Sequence, residues 1–389
     1  MPKSYTRDGF TWLAYLMLGY FSLCVNGLGP IMPFLKSELH LSNTVSSLHF
    51  TALGIGILLV GLLGHMLVER LGRLFILWSG AIGMSVGVCL LIWGESPAVT
   101  IPGAFLVGCL GALILAIAPA ALSDHHKALG VVAISEAKVF AVSAGALAPV
   151  LVGWSAAALG DWRLVFVAVV LAPLFFRLGL GKVSLPEDRQ AVHKVQTSQP
   201  LPWLFWYYWC TIVLSEGAEY CMIFYSPAYL EQQLSFLKSN AALAASLFVV
   251  GMILGRLVGS RLVRRFSPAL LITVSALLAL AGFLLFWLAS APFVGLVGLF
   301  ITGLGVANLY PLTLSLAIAA AKGSTVQAGV RATLSTGSSI VVAPIILGWL
   351  ADLNGIRPAY GVVVVMLAGV LLLIQASRFV FVRKLNEAE

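Results

Sequence analysis

The chain has 389 residues, of which 60% are hydrophobic and only 10% are charged. A soluble globular domain carries about 25% charged and about 45–50% apolar residues, so this chain lacks the polar surface to cover itself in water and reads as a membrane protein. A net charge of +8 would point to nucleic acid in a soluble chain; here the distribution of the charges matters more than their sum.

At roughly 20 apolar residues per helical span, the runs between charged or turn-rich breaks predict twelve spans. They lie near 10–35, 44–67, 74–94, 98–122, 128–156, 164–181, 203–227, 241–263, 269–290, 292–321, 326–350 and 358–382. The first follows a short polar start, Met1 to Gly9, and is too long for a signal-peptide core. It has no small-residue cleavage site either, so it is expected to stay as a span. An even number of spans puts both termini on one side. Sixteen of the 23 Lys and Arg residues fall on that side, and four (Lys36, Arg163, Lys238 and Arg357) fall opposite. By the positive-inside rule both termini are expected in the cytoplasm, of a plasma or bacterial inner membrane. Trp12, Trp93, Trp162, Trp203 and Trp287 stand near span ends, where an amphipathic ring suits the interfacial belt. Cys24, Cys89, Cys109, Cys210 and Cys221 are odd in number and sit in apolar runs, which predicts buried free thiols rather than a disulfide framework.

The longest polar break, Lys182 to Pro202, divides the chain into halves at 1–181 and 203–389 joined by a linker at 182–202. A shift of 195 residues lays one half on the other. Gly56, Gly64, Leu67, Val68 and Arg70 fall on Gly251, Gly259, Leu262, Val263 and Arg265, and Phe105 and Gly108 fall on Phe300 and Gly303. Ala148-Pro149 with Gly153-Trp154 falls on Ala343-Pro344 with Gly348-Trp349. Three regions with one offset indicate an internal duplication, hence an all-α membrane protein of two pseudo-symmetric six-helix bundles. Two such repeats with a site between them near the bilayer midplane suit alternating access.

Between spans 2 and 3 the segment Gly61-Leu-Leu-Gly64-His65-Met-Leu-Val-Glu69-Arg70-Leu-Gly72-Arg73 resembles the loop signature of the major facilitator superfamily, a glycine-spaced turn carrying an acid and basic residues. A degenerate copy, Gly255-Arg256-Leu-Val-Gly259-Ser-Arg261-Leu-Val-Arg264-Arg265, stands between spans 8 and 9. The resemblance covers the whole chain and implies a secondary transporter, a monomer that exchanges a small solute across the bilayer. Two departures stand out. The family's acid, four residues after the leading glycine, is His65 here, with Glu69 the nearby acid. Span 4, Ile101 to Ala121, lacks the arginine of drug antiporters.

A charge at the bilayer centre costs at least about 2.5–3.5 kcal/mol on insertion scales, so ionisable residues inside spans are paired, cavity-facing or functional. These are Glu136 and Lys138 in span 5, Glu216 and Glu219 in span 7, Arg256 in span 8 and Arg331 in span 11. At about 1.5 Å per residue, Glu136, Arg256 and Arg331 fall in one layer roughly 12 Å from the cytoplasmic end. The resemblance implies that span 5 packs on span 8 and span 2 on span 11, hence a gating contact of Glu136 with Arg256, and of Glu69 or His65 with Arg331. Arg70 and Arg73 belong to the same gating loop. Two further readings of Arg256 stand: an anion site, because a Gly-Arg pair in span 8 is similar to that of organic-anion and monocarboxylate carriers, and a structural pair inside the second half.

Glu216 and Glu219 fall roughly 20–24 Å into span 7 by the same rise, near the midplane or above it. A carboxyl group in a poorly hydrated cavity is easier to protonate than one in water, which is what proton coupling needs. At i and i+3 the two share a helix face, and charging both is costly. That spacing predicts one proton held between them. Tyr220 in the same span, and Asn26, Asn308 and Tyr310 in spans 1 and 10, are the expected substrate contacts, because the resemblance places these spans along the cavity. Asp124-His125-His126-Lys127 has no third ligand nearby in sequence and reads as a solvated turn. No phosphate-binding loop or nucleophile motif is present, so no enzyme, metal or cofactor is expected. The reading is a secondary transporter, proton-coupled, with export of amphipathic compounds ahead of carriage of an organic anion through Arg256.

Overall fold

The computed structural model describes residues 6–180, 201–321 and 325–386, which form helices and their connections with no strand among them. The helices are α1 (Gly9–Glu38), α2 (Asn43–Leu71), α3 (Arg73–Trp93), α4 (Pro97–His126), α5 (Gly130–Ala158), α6 (Leu164–Leu180) and α7 (Trp203–Leu234). They continue as α8 (Lys238–Leu262), α9 (Pro268–Leu288), α10 (Pro292–Val306), α11 (Leu309–Ala320), α12 (Thr325–Asn354), α13 (Ile356–Ala359) and α14 (Gly361–Asn386). Ten stretches are long and apolar enough to cross a membrane, one of them combining α10 and α11 and another α13 and the start of α14. The apolar α6, at 17 residues, and the 32-residue α7, which carries the two acids, bring the total to the twelve that the sequence predicts.

The chain forms two compact units. One holds residues 1–41 and 48–194, the other residues 42–47 and 195–389. In the first, α1 lies along α5 and α4, and α3 along α4 and α6. In the second, α7 lies along α12, α11 and α14, and α10 along α9 and α8. Ser42–Ser47 group with this second unit, where the Asp352 carboxylate accepts the amides of Asn43 and Thr44 at 2.7 and 2.8 Å.

The duplication is visible in the packing itself. A Cβ at Gly108 would stand 2.1 Å from the Leu53 carbonyl oxygen, and one at Gly303 would stand 2.1 Å from that of Phe248, 195 residues on in both partners. A Cβ at Gly56 would meet the Phe105 oxygen at 2.6 Å, and one at Gly251 the Phe300 oxygen at 2.3 Å. The same holds for Gly103 over the Gly87 oxygen and Gly298 over the Gly282 oxygen, both at 2.8 Å. Small residues let helix backbones approach where lipid supplies no hydrophobic drive between them. These six positions are where α2 meets α4, α3 meets α4, and their counterparts meet in the second unit.

Helix ends follow the local chemistry. Asp8 caps α1, accepting the Thr11 amide at 2.9 Å and the Thr11 hydroxyl at 2.6 Å, so one orphan donor of the first turn is satisfied. Buried His49 is met by Thr100 at 2.8 Å, a bond between α2 and α4. Trp162 departs from the interfacial expectation: it is 3% exposed, stacks on Phe34 and donates to Glu38 at 3.0 Å. Its neighbour Arg163 also reaches Glu38 and covers the Trp162 ring at 4.5 Å, so the indole is withdrawn into the bundle. All five cysteines are free thiols; Cys24 and Cys221 are buried and Cys210 is exposed.

Candidate functional site

The second unit gathers Glu216, Glu219, Tyr220, Arg256, Asn308 and Tyr310 around α7, α8 and the α10/α11 junction. Glu216 is 6% exposed. Its carboxyl group meets α12, where Ser335 Oγ contacts Oε2 at 3.0 Å and Thr336 Oγ1 donates to Oε1 at 2.7 Å. Ser335 Oγ also lies 2.5 Å from the Ala332 carbonyl oxygen. A serine hydroxyl has one proton and two lone pairs. With Glu216 ionised, Ser335 shares that proton between the carboxylate and Ala332; with Glu216 protonated, Ser335 gives it to Ala332 and accepts from the acid. Both states of Glu216 are therefore satisfied without moving a side chain.

Glu219, one turn further along α7, faces α8 instead. An Arg256 terminal nitrogen stands 3.8 Å from Glu219 Oε1, with the two side chains 35% and 14% exposed. That is an ion pair beyond hydrogen-bond length. The two acids thus have separate partners, hydroxyls for Glu216 and a guanidinium for Glu219, because the helix turns them toward different neighbours.

Arg256 is held from its other side by a break in a helix. Pro311 has no N–H to donate to the carbonyl four residues back, and its ring crowds that carbonyl. The carbonyl is that of Ala307, at the junction where α10 ends at Val306 and α11 begins at Leu309. Arg256 Nε donates to this oxygen at 3.3 Å. Asn308 Nδ2 donates in turn to the Gly255 carbonyl at 2.9 Å. A Cβ at Gly259 would stand 2.1 Å from Asn308 Oδ1, so the glycine is what lets the amide lie against α8. Tyr220 and Tyr310 lie near enough to feel the charges of Glu216, Glu219 and Arg256, and Tyr220 stacks on Phe224 at 5.4 Å.

The remaining expected residues lie elsewhere. Asn26 is in the first unit, donating to the Ser22 carbonyl at 2.8 Å and packed against Gly145. Glu136 takes a two-pronged bond from Arg7, at 2.8 and 2.9 Å, and a third from the Tyr15 hydroxyl at 3.0 Å. Glu136 and Arg256, expected to form a gating contact, each have an ion-pair partner inside their own unit. Arg73 pairs with Asp124 at 2.5 Å. Arg331 is exposed, and its carbonyl accepts Trp209 Nε1 at 2.9 Å. The side chains of His65, Glu69 and Arg70 lie outside the described residues. Two other aromatics of α7 are tied to neighbouring helices: Tyr207 donates to the Leu373 carbonyl and Tyr225 to that of Pro344. Sequence reasoning missed Ser335, Thr336 and Pro311. The hydroxyl run Ser335-Thr336-Gly337-Ser338-Ser339 inside an apolar span was the available signal.

The sequence pattern of the Major Facilitator Superfamily matches residues 12–335 and again 208–387. The chain belongs to that superfamily. Over 373 residues, 92% of each chain, it is 24% identical to an uncharacterised MFS-type transporter of Yersinia pestis. The fold is similar to that of a bacterial homologue of the human lysosomal transporter Spinster in an inward-facing form, with a TM-score of 0.71 at 17% identity over 97% of each chain. It is likewise similar to the xylose transporter XylE from E. coli, with a TM-score of 0.74 at 13% identity, over 95% of this chain and 97% of that one. The protein is therefore a multi-pass membrane transporter of the MFS fold.

Proposed function

We propose that this MFS transporter works by alternating access as a monomer and couples the movement of a small organic solute to protons, with Glu216 as the proton-carrying group. The observation that carries this is the Glu216 environment: a buried carboxyl group whose hydroxyl partners satisfy it both charged and neutral. An intramembrane acid of this kind marks an ion or proton pathway. Glu219 is the second coupling group: its protonation releases Arg256, and its ionisation draws the guanidinium back. The substrate class favoured is an amphipathic compound, held between acids and the Tyr220 and Tyr310 rings and exported in exchange for protons. Both termini face the cytoplasm of the inner membrane, as the Lys and Arg count supports.

One observation favours a second reading, carriage of an organic anion. Arg256 is 35% exposed and stands 3.8 Å from Glu219, leaving terminal donors that suit the paired oxygens of a carboxylate.

The deciding experiment is dye-reported proton movement in proteoliposomes on adding a panel of amphipathic cations and a panel of small carboxylates. Flux with cations that is lost in Glu216→Gln supports the exporter. Flux with carboxylates alone, lost in Arg256→Lys, moves Arg256 to the substrate site. Silence with both removes the coupling proposal.

A further inference from the structure

The turn that reads as solvated in sequence acquires a third ligand in the fold. Asp8, at the N-cap of α1, comes against His125 and His126 in the last turn of α4, and one ligating atom from each lies within 4.8 Å of the others. His125 Nε2 stands 2.5 Å from Asp8 Oδ2, and His126 Nε2 stands 2.7 Å from Thr11 Oγ1. Thr11 spends its one proton on Asp8 Oδ1 at 2.6 Å, so it accepts from His126. Both imidazoles thus aim Nε2 at the same small volume. All four residues belong to the first unit.

We propose that Asp8, His125 and His126 form a binding site for a borderline divalent cation of the zinc type, at the end of the first unit where α1 begins and α4 ends. The donor set is two imidazole nitrogens and a carboxylate oxygen, which suits zinc far better than magnesium or calcium. Bonds of about 2.0–2.1 Å to a tetrahedral ion place its ligands roughly 3.3 Å apart, so a cluster within 4.8 Å closes by side-chain rotation alone. Asp8 is on the exposed side and leaves the fourth position to water. Thr11 supports the site as an outer partner by bonding the Asp8 carboxylate at Oδ1, and the Nε2 proton that His126 gives to Thr11 is released when that nitrogen takes the metal. The carbonyls that end α4 favour a cation. Two nearby basic side chains are engaged elsewhere, Arg73 with Asp124 and Arg7 with Glu136. Bound metal would fasten the start of α1 to the end of α4.

The test is zinc retention by tag-free full-length protein after loading and desalting, read by elemental analysis, with thermal unfolding followed in parallel. About one zinc per chain is expected, with a raised melting temperature on adding zinc and none on adding magnesium. The double variant His125→Gln/His126→Gln, checked for wild-type elution in detergent, should retain about a tenth of that zinc or less and lose the zinc-dependent shift. Asp8→Asn keeps the helix cap and should weaken binding at least about tenfold. No retained zinc in the wild type, or equal retention in the double variant, overturns the proposal.

Discussion

The offset of 195 that lays the glycine contacts of α2 and α4 on those of α8 and α10 also shows what the first unit carries where the second has its polar cluster. Glu216 falls on Phe21, Glu219 on Cys24, Arg256 on Gly61, Asn308 on Leu113, and Ser335 and Thr336 on Phe140 and Ala141. Pro311 falls on Ala116, and the helix that breaks at Ala307 and Asn308 in the second unit runs unbroken from Pro97 to His126 in the first. Backbone-to-backbone packing tolerates no side chain and so keeps its glycines in both copies. The helix interiors are free to diverge, and the cluster of Glu216, Glu219 and Arg256 stands in one copy alone. In the first unit, the pairs Arg7–Glu136 and Arg73–Asp124 are at least partly exposed.

The shared packing and the unshared polar cluster respond to different substitutions. The largest effect is expected at the shared packing. Gly108→Val and Gly303→Val each push a side chain into a carbonyl oxygen 2.1 Å away, and overpacking costs about 1–3 kcal/mol or more. Both variants should lose most of the monodisperse peak on size exclusion, to a similar degree. A loss at one site alone would mean that the two copies do not bear equal load.

Next comes the chemistry found in one copy only. Glu216→Gln should abolish proton-driven accumulation and leave substrate exchange intact, whereas Phe21→Leu at the matching position should leave both. Accumulation that survives Glu216→Gln would remove this residue from coupling.

Pro311→Ala tests the helix break. Alanine restores a donor for the Ala307 carbonyl, so melting temperature should rise while transport falls, because Arg256 loses its acceptor. A rise in both would show that the break is not needed for function. The smallest effect is at the cap of α1: Asp8→Ala should cost about 0.5–2 kcal/mol, seen as a lowered melting temperature that Asp8→Asn restores.

The twelve spans, the duplication and the superfamily were legible because they rest on quantities a sequence carries along its length: apolar run length, charge counts between runs and a constant offset. Glu216, Glu219 and Arg256 were legible as charges where charge is costly. Their partners were not. Glu216 and Glu219 share a helix face by spacing, yet α12 meets one and α8 the other, and no spacing within α7 reveals which neighbour lies on which side. Trp162 was misplaced for a similar reason: position near a span end suggests lipid, whereas Phe34 and Glu38, far away in sequence, draw it inward.

Composition and the 195-residue repeat determined by themselves that this chain is a duplicated bundle of membrane helices, since burial in lipid and close backbone contact each select residue types locally. Only the tertiary structure decided that Ser335 and Thr336 hold Glu216, that a carbonyl orphaned by Pro311 holds Arg256, and that Asp8 meets His125 and His126. Hydrogen bonds and metal ligation act over about 3 Å, and the chain brings those atoms together from segments roughly 50 to 120 residues apart.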